Sequence, residues 1–476
     1  MVQLLSLLAG LALICATSAV PLSETNSLAA REIEIEEFEA RGPSCESRGG
    51  HHKGKPAPAA AAITNAKAVY FITNAANNSV VALKVNADGS LSDGSVTATG
   101  GAGMSGVLIA GGAVAAPDAL FSQGAVKVAG NMLVAVNPGS NTISMFTIDA
   151  ADATKLTMVG QPADTLGEFP MSVSLSAKLN QACVANSGAK AGIACFSMSA
   201  TEGLKALDTA VRPFNINQTT PPAGPENTVS QTFFNEDSTA LLTTVKGNPA
   251  VNNTGFLSIF PVVNNTVSTN EARSSPNGTA VLFGTALIPN SKNVFVTDAS
   301  FGSATLAISS KNIATVKAST KILDQKATCW AAISDLTKTA FVTDVANNHL
   351  VEIDVNNGNL IKELNSTNGN PGMIDLVSAG KFIYALSPGN ATVASAVTVF
   401  DVSGGRGTAK EVQNFKPAGV TSKNSCYRIV FEARKDPLYL ILSLAEQPAA
   451  AQCPPTTDGK PTWHPSYDSL LRKLWV

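Results

Sequence analysis

"FVTDVANNHLVEIDV" occupies Phe341–Val355, and "VFVTDASFGSATLAI" occupies Val294–Ile308. Both stretches run through two apolar residues to Thr-Asp, pass a small polar turn, and resume as an alternating apolar run. The phrase recurs along the chain. Its other copies are "VYFITNAANNSVVALKV" (Val69–Val85), "LVAVNPGSNTISMFTI" (Leu133–Ile148), "ACVANSGAKAGIACFSM" (Ala182–Met198), "LLTTVKGNPAVNNTGFLSIF" (Leu241–Phe260) and "FIYALSPGNATVASAVTVFDV" (Phe382–Val402). The turns open at Asn74, Asn137, Asn186, Lys246, Asp298, Asp344 and Ser387, with 43 to 63 residues between consecutive anchors. Self-similarity at such a period marks a repeat architecture.

Each copy reads as a β-hairpin, two β-prone runs about a turn of Asn, Gly, Asp, Ser or Pro. A further apolar strand precedes most copies, as in "MSVSLSAKLN" (Met171–Asn180), "TCWAAISDLT" (Thr328–Thr337) and "GMIDLVSAG" (Gly372–Gly380). A weaker strand follows, as in "ADGSLSDGSVTATG" (Ala87–Gly100). Four strands per unit result, A to D, with the quoted hairpins as B and C. No convincing 3.6-residue period recurs between hairpins, which argues against parallel βαβ units. The expected fold is all-β: a seven-bladed β-propeller of four-stranded antiparallel blades. A pair of β-sandwiches is the plainer alternative, but it needs no seven matching hairpins. "CYRIVFEARKDPLYLILSL" (Cys426–Leu444) leaves eight blades open. The chain enters the repeat at a B strand, so a late A strand within Tyr427–Ala433 is expected to close the ring. The segment after Pro437 is then an extension.

The domain reading is a signal peptide over 1–19, a linker or pro-segment over 20–62, the propeller over 63–446 and a C-terminal extension over 447–476. "MVQLLSLLAGLALICATSA" is an apolar core ending in small residues, with Thr17 and Ala19 suited to signal-peptidase subsites. It is short for a bilayer span. The linker is acidic, then basic, then Ala/Pro-rich, and has little apolar surface to bury. The expected location is secreted, extracellular or in the cell wall, with no membrane span.

Seven cysteines occur. With Cys15 in the signal peptide, six are left: Cys45, Cys183, Cys195, Cys329, Cys426 and Cys453. An even number in an exported chain favours disulfides. Cys183 and Cys195 flank one hairpin turn symmetrically and should lie opposite each other, within bridging distance. The alternative is two separate buried thiols. The other pairings stay open. Seven N-glycosylation sequons are present, at Asn77, Asn217, Asn252, Asn264, Asn277, Asn365 and Asn390. Charged residues make up only 14% of the chain, against about 25% in typical soluble domains, so glycans would supply solubility. A net charge of −2 gives no electrostatic case for nucleic acid.

A signal peptide followed by hairpin units of the "FVTD-turn" form resembles the lactonase-type seven-bladed propellers, and within them secreted fungal carboxymuconate cyclase-like proteins. The resemblance runs from about Ala62 to Glu446. It implies either an intramolecular lyase that protonates a diene and closes a lactone, a lactonase, or a surface glycoprotein with adhesive or antigenic roles. The partners it implies are a small carboxylate or lactone, or a host or cell-wall surface component.

Antiparallel order puts B–C turns and D–A entries on one face of the disc. The candidate channel-mouth residues there are Glu168, Glu226, Lys246, Asp298, Trp330, Asp344 and Arg428, with Arg212 as a further cation. Closing a lactone on a carboxylate substrate needs cations and a proton donor. For Asp298 and Asp344 the plainer role is capping a turn. Blade entries offer Phe169-Pro170 and Val229-Ser230 where active relatives look to carry His and Arg. Of four histidines, His51 and His52 lie in the linker and His464 in the tail. His349 lies in a B–C turn and is expected to point to solvent. No Ser/His/Asp set, phosphate loop or metal cluster can be assembled, and no cofactor or metal is expected. A ligand-binding or surface protein with weak or no catalysis is therefore favoured over an active enzyme, as a monomer.

Overall fold

The computed structural model describes residues 66–390 and 392–417, together with the backbone of two later strands, Ile429–Ala433 and Leu440–Leu444. The signal-peptide, linker and tail readings lie outside the described residues. So do Cys45, Cys426, Cys453, Tyr427, Arg428 and the histidines other than His349.

The fold is a seven-bladed β-propeller. Blades 2 to 7 follow the expected order, A innermost and D outermost, by antiparallel pairing of sequential strands. Their A strands are Val126–Ala129, Pro170–Ser176, Val229–Phe234, Leu282–Leu287, Thr328–Ile333 and Ile374–Ala379. Each of these packs against the next around the axis. The burial gradient follows from that stacking. B strands such as Val294–Asp298 are buried at every position, because both faces meet a neighbouring blade. D strands such as Leu360–Asn365 never are, because they form the rim. This is why the B and C strands carry the clear apolar phrase and the D strands do not.

Blade 1 contributes only Ala68–Ile72, Ser79–Val85 and Leu91–Ala98 before the chain moves on. The ring closes as expected in one respect: Ile429–Ala433 takes the innermost position, between the A strands of blades 7 and 2. In another respect the expectation is corrected. The strand bonded to Ala68–Ile72 is Leu440–Leu444, running parallel to it with Val69 opposite Leu440. Ile429–Ala433 pairs with the far side of that strand. Within the segment after Pro437, Leu440–Leu444 is thus a strand of the sheet and not an extension.

One irregularity recurs where the A strands begin. The A–B register shifts at the top of blades 3, 4, 5, 6 and 7. In four of these blades the extra residue is Met171, Ser230, Cys329 or Asp375. A bulge at a repeated level re-aims side chains from the sheet, here around the channel.

Candidate ligand-binding channel

The anchor residues of the B–C turns are structural. Asp298 accepts from the Ala280 N–H at 2.8 Å, the Val281 N–H at 3.1 Å and the Ser300 N–H at 2.9 Å. Asp344 accepts from the N–H groups of Lys326, Ala327, Ala346 and Asn347. Burial pushes the Asp344 carboxyl up, and those amides partly offset it. Asn74 does the same work with Met104, donating to its carbonyl and accepting from its N–H. Asp298 and Asp344 each tie their own turn to the segment entering the A strand of the same blade, and Asn74 ties its turn to the link towards blade 2, so the turn-capping role holds for these three.

Lys246 breaks the pattern. It stands at the same position and is as fully buried as Asp298 and Asp344, but its side chain reaches inward. Its Nζ donates to the Phe121 carbonyl at 2.6 Å, the Val229 carbonyl at 2.9 Å and the Ser230 hydroxyl at 2.9 Å. It also sits 4.4 Å from the Phe283 ring centroid. Burial pushes its pKa down to about 7, opposed by Asp118, Cys329 and Glu226. Glu226 is buried with Oε2 lacking a hydrogen-bond partner, and desolvation raises its pKa. Trp330 packs edge-on to Phe283 and donates from Nε1 to the Ser122 carbonyl at 3.1 Å.

These contacts identify a plug. The segment 119–125, ahead of the blade 2 A strand, crosses the channel. The Gln123 N–H donates to the Ser230 carbonyl, and the Ser122 hydroxyl donates to the Met171 carbonyl. The Gln123 side chain pairs with both backbone groups of Ala331. Inner strands of blades 3, 4 and 6 are thereby bonded to one loop. Phe121, Ser122 and Gln123 are themselves buried, so the B–C end of the channel is filled.

The open end is the other one. A cavity of about 450 Å³ lies where the A strands end, walled by residues such as Ser174, Gln231, Phe233, Thr285 and Ser378. Gln123 of the plug and Lys127 line it as well. Lys178, Glu236 and Asp335 belong to the A–B turns at its rim. Asp375, one residue before the lining Leu376, is fully buried at a bulge with φ of 42°. A non-glycine residue in that region is held there by its surroundings and marks sites worth attention. Burial drives the Asp375 carboxyl well above its usual range, opposed first by Lys127. Its Oδ2 has no hydrogen-bond partner.

None of Glu168, Glu226, Lys246, Asp298, Trp330 or Asp344 lines this cavity. Arg428 lies outside the described residues. Glu168 is half-buried, accepts from the Thr220 hydroxyl and lies 3.9 Å from the Lys190 amine. Arg212 is not a channel cation: it forks onto Asp208 and donates to the Val267 and Ser268 carbonyls between blades 3 and 4. His349, expected to face solvent, begins the blade 6 C strand and is fully buried. Gln123, Lys127 and Asp375 escaped the sequence reading. The available signal was a lone charge inside an inner apolar strand, in "AVKVAG" and "GMIDLVSAG".

The Cys183–Cys195 disulfide is present, between directly opposed residues of one hairpin with Cα atoms 4.1 Å apart. Cys329 is a free, buried thiol. No helix among the described residues is long and apolar enough to cross a membrane.

No family model matches the chain, and no curated protein matches it. Solved structures do. The periplasmic gluconolactonase PpgL of Pseudomonas aeruginosa aligns with a TM-score of 0.52 at 15% identity, over 75% of this chain and 96% of that one. A protein of Bacteroides uniformis assigned as a 6-phosphogluconolactonase aligns at 0.49 and 17%, over 65% and 87%. Another, from Bacteroides fragilis, aligns at 0.47 and 12%, over 76% and 97%. At this identity PpgL speaks for the fold alone and for nothing finer.

Proposed function

We propose that the protein is an exported, N-glycosylated propeller that binds a small carboxylate or lactone in the channel cavity and turns it over weakly or not at all. One observation supports this above the others. The cavity is lined by Lys127 beside neutral hydrogen-bonding groups, Gln123, Gln231, Ser174 and Ser378. One buried cation among amides and hydroxyls suits a weakly acidic or uncharged polar molecule. The one described histidine, His349, is not among the lining residues, so the simplest general acid near neutral pH is missing from it. The test is calorimetric titration of the purified glycosylated protein with gluconolactone and with carboxymuconate. Binding weakened at least tenfold by Lys127→Met is expected. Unchanged affinity in that variant would remove the cavity from the proposal.

A second reading has its own observation. Asp375 pairs a carboxyl that burial raises well above its usual range with the opposing charge of Lys127. A carboxymuconate lactonizing enzyme needs that pair: the acid gives its proton to a diene carbon while a substrate carboxylate oxygen forms the new C–O bond. Loss of diene absorbance at enzyme-like rates, abolished in Asp375→Asn, would establish this reading and overturn the first.

A further inference from the structure

We propose that Asp324, His349 and Glu363 form a binding site for a late first-row divalent cation of the zinc class, apart from the channel. His349 opens the C strand of blade 6, and Glu363 lies in the neighbouring D strand, which pairs with it. Asp324 comes from the link that leads out of blade 5. One ring nitrogen of His349 and one carboxylate oxygen from each acid lie within 4.8 Å of one another. Three elements distant in sequence therefore converge ligand atoms on one point.

The imidazole carries the argument. It is fully buried, and its Nδ1 lies 2.8 Å from Glu363 Oε1, so Nδ1 is the ring nitrogen that faces the acids. A cation seated between them takes the place of the proton that Nδ1 and Glu363 share, with the imidazole neutral and its remaining proton on Nε2. The Asn347 amide donates to Asp324 Oδ2 at 3.3 Å and steadies the second acid from the side.

The donor set selects the ion. One imidazole and two carboxylates without a thiol suit Zn²⁺ and its neighbours, and Ca²⁺ would want six or more oxygens. Bonds of about 2.0–2.1 Å in a tetrahedral site place ligand atoms about 3.3 Å apart. The exposed Asp324 side chain can close that gap by rotation, and its exposure leaves room for water as a fourth ligand. Bound there, the ion ties the blade 5–6 link to the two outer strands of blade 6. The spacing of these residues, 25 and then 14 positions, follows no local metal motif, so the sequence alone assembles no such site.

The experiment uses the full chain after chelator treatment, titrated with zinc chloride by calorimetry and followed by thermal unfolding. A variant with His51→Ala and His52→Ala separates the adjacent linker histidines. The expected result is a micromolar-class site retained in that variant, weakened at least tenfold in Asp324→Asn and in Glu363→Gln, and raising the unfolding midpoint. Asp324 is exposed, so its variant folds whatever becomes of the others. Zinc binding that survives Asp324→Asn and Glu363→Gln, or that disappears only with His51 and His52, overturns the proposal. So does the absence of binding.

Discussion

The Gln123 side chain and the Ala331 backbone hold each other across the channel axis. Gln123 Nε2 donates to the Ala331 carbonyl at 2.9 Å, and the Ala331 N–H donates back to Gln123 Oε1 at 3.2 Å. The two residues are 208 positions apart, so this pair links the loop before blade 2 to the core of blade 6.

Replacing Gln123 with Ala leaves both Ala331 groups buried without partners. Stability should fall by about 1–3 kcal/mol. A urea midpoint lowered with an unchanged slope is the expected record. An unchanged midpoint would mean the plug is held by its other bonds alone.

Lys246 makes stability depend on pH. Its folded value is about 7, against 10.5 for the unconstrained side chain. Between those values the unfolded chain holds a proton that the folded chain has released, so stability rises with pH. The limit is about 1.4 kcal/mol per pH unit. Lys246→Met removes this contribution. The wild-type advantage over the variant should therefore widen from pH 7 towards pH 10, measured by chemical denaturation at each pH. A difference that stays flat across that window argues that the amine keeps its charge inside.

The Cys183–Cys195 bridge closes a loop with a sequence separation of 12. A loop of that size is worth about 2–3 kcal/mol. The double serine variant should lose that much. Peptide mapping without reductant should recover the two cysteines as one cross-linked species, with Cys329 alkylated only after unfolding.

Six of the seven sequon asparagines are exposed: Asn77, Asn217, Asn252, Asn264, Asn277 and Asn365. Asn390 is half-buried, and its Oδ1 accepts from Thr392 N, Thr392 Oγ1 and Val393 N. In chain expressed through a secretory pathway, Asn390 should show the lowest occupancy by glycopeptide mass spectrometry. Occupancy at Asn390 equal to that at Asn77 would show that the folded environment does not restrict the acceptor.

The parts of this protein that the sequence by itself determined are those written in local periodicity. Phe341–Val355 and its six counterparts alternate apolar residues around a polar turn. Each hairpin is buried on both faces by its neighbours, so the pattern had to repeat with the blades. The same locality put Cys183 opposite Cys195 and made Asp298 and Asp344 turn caps. Tertiary structure decided the rest. Segment 119–125 has no periodicity, yet its bonds to Met171, Ser230, Trp330 and Ala331 determine which end of the channel is filled and which holds the cavity. His349 reads as a turn residue until blade packing excludes it from water. Asp375 reads as one polar residue in an apolar strand until a bulge turns it beside Lys127. In each of these cases the deciding energy comes from burial and hydrogen bonds between residues far apart in the chain, which strand periodicity does not encode.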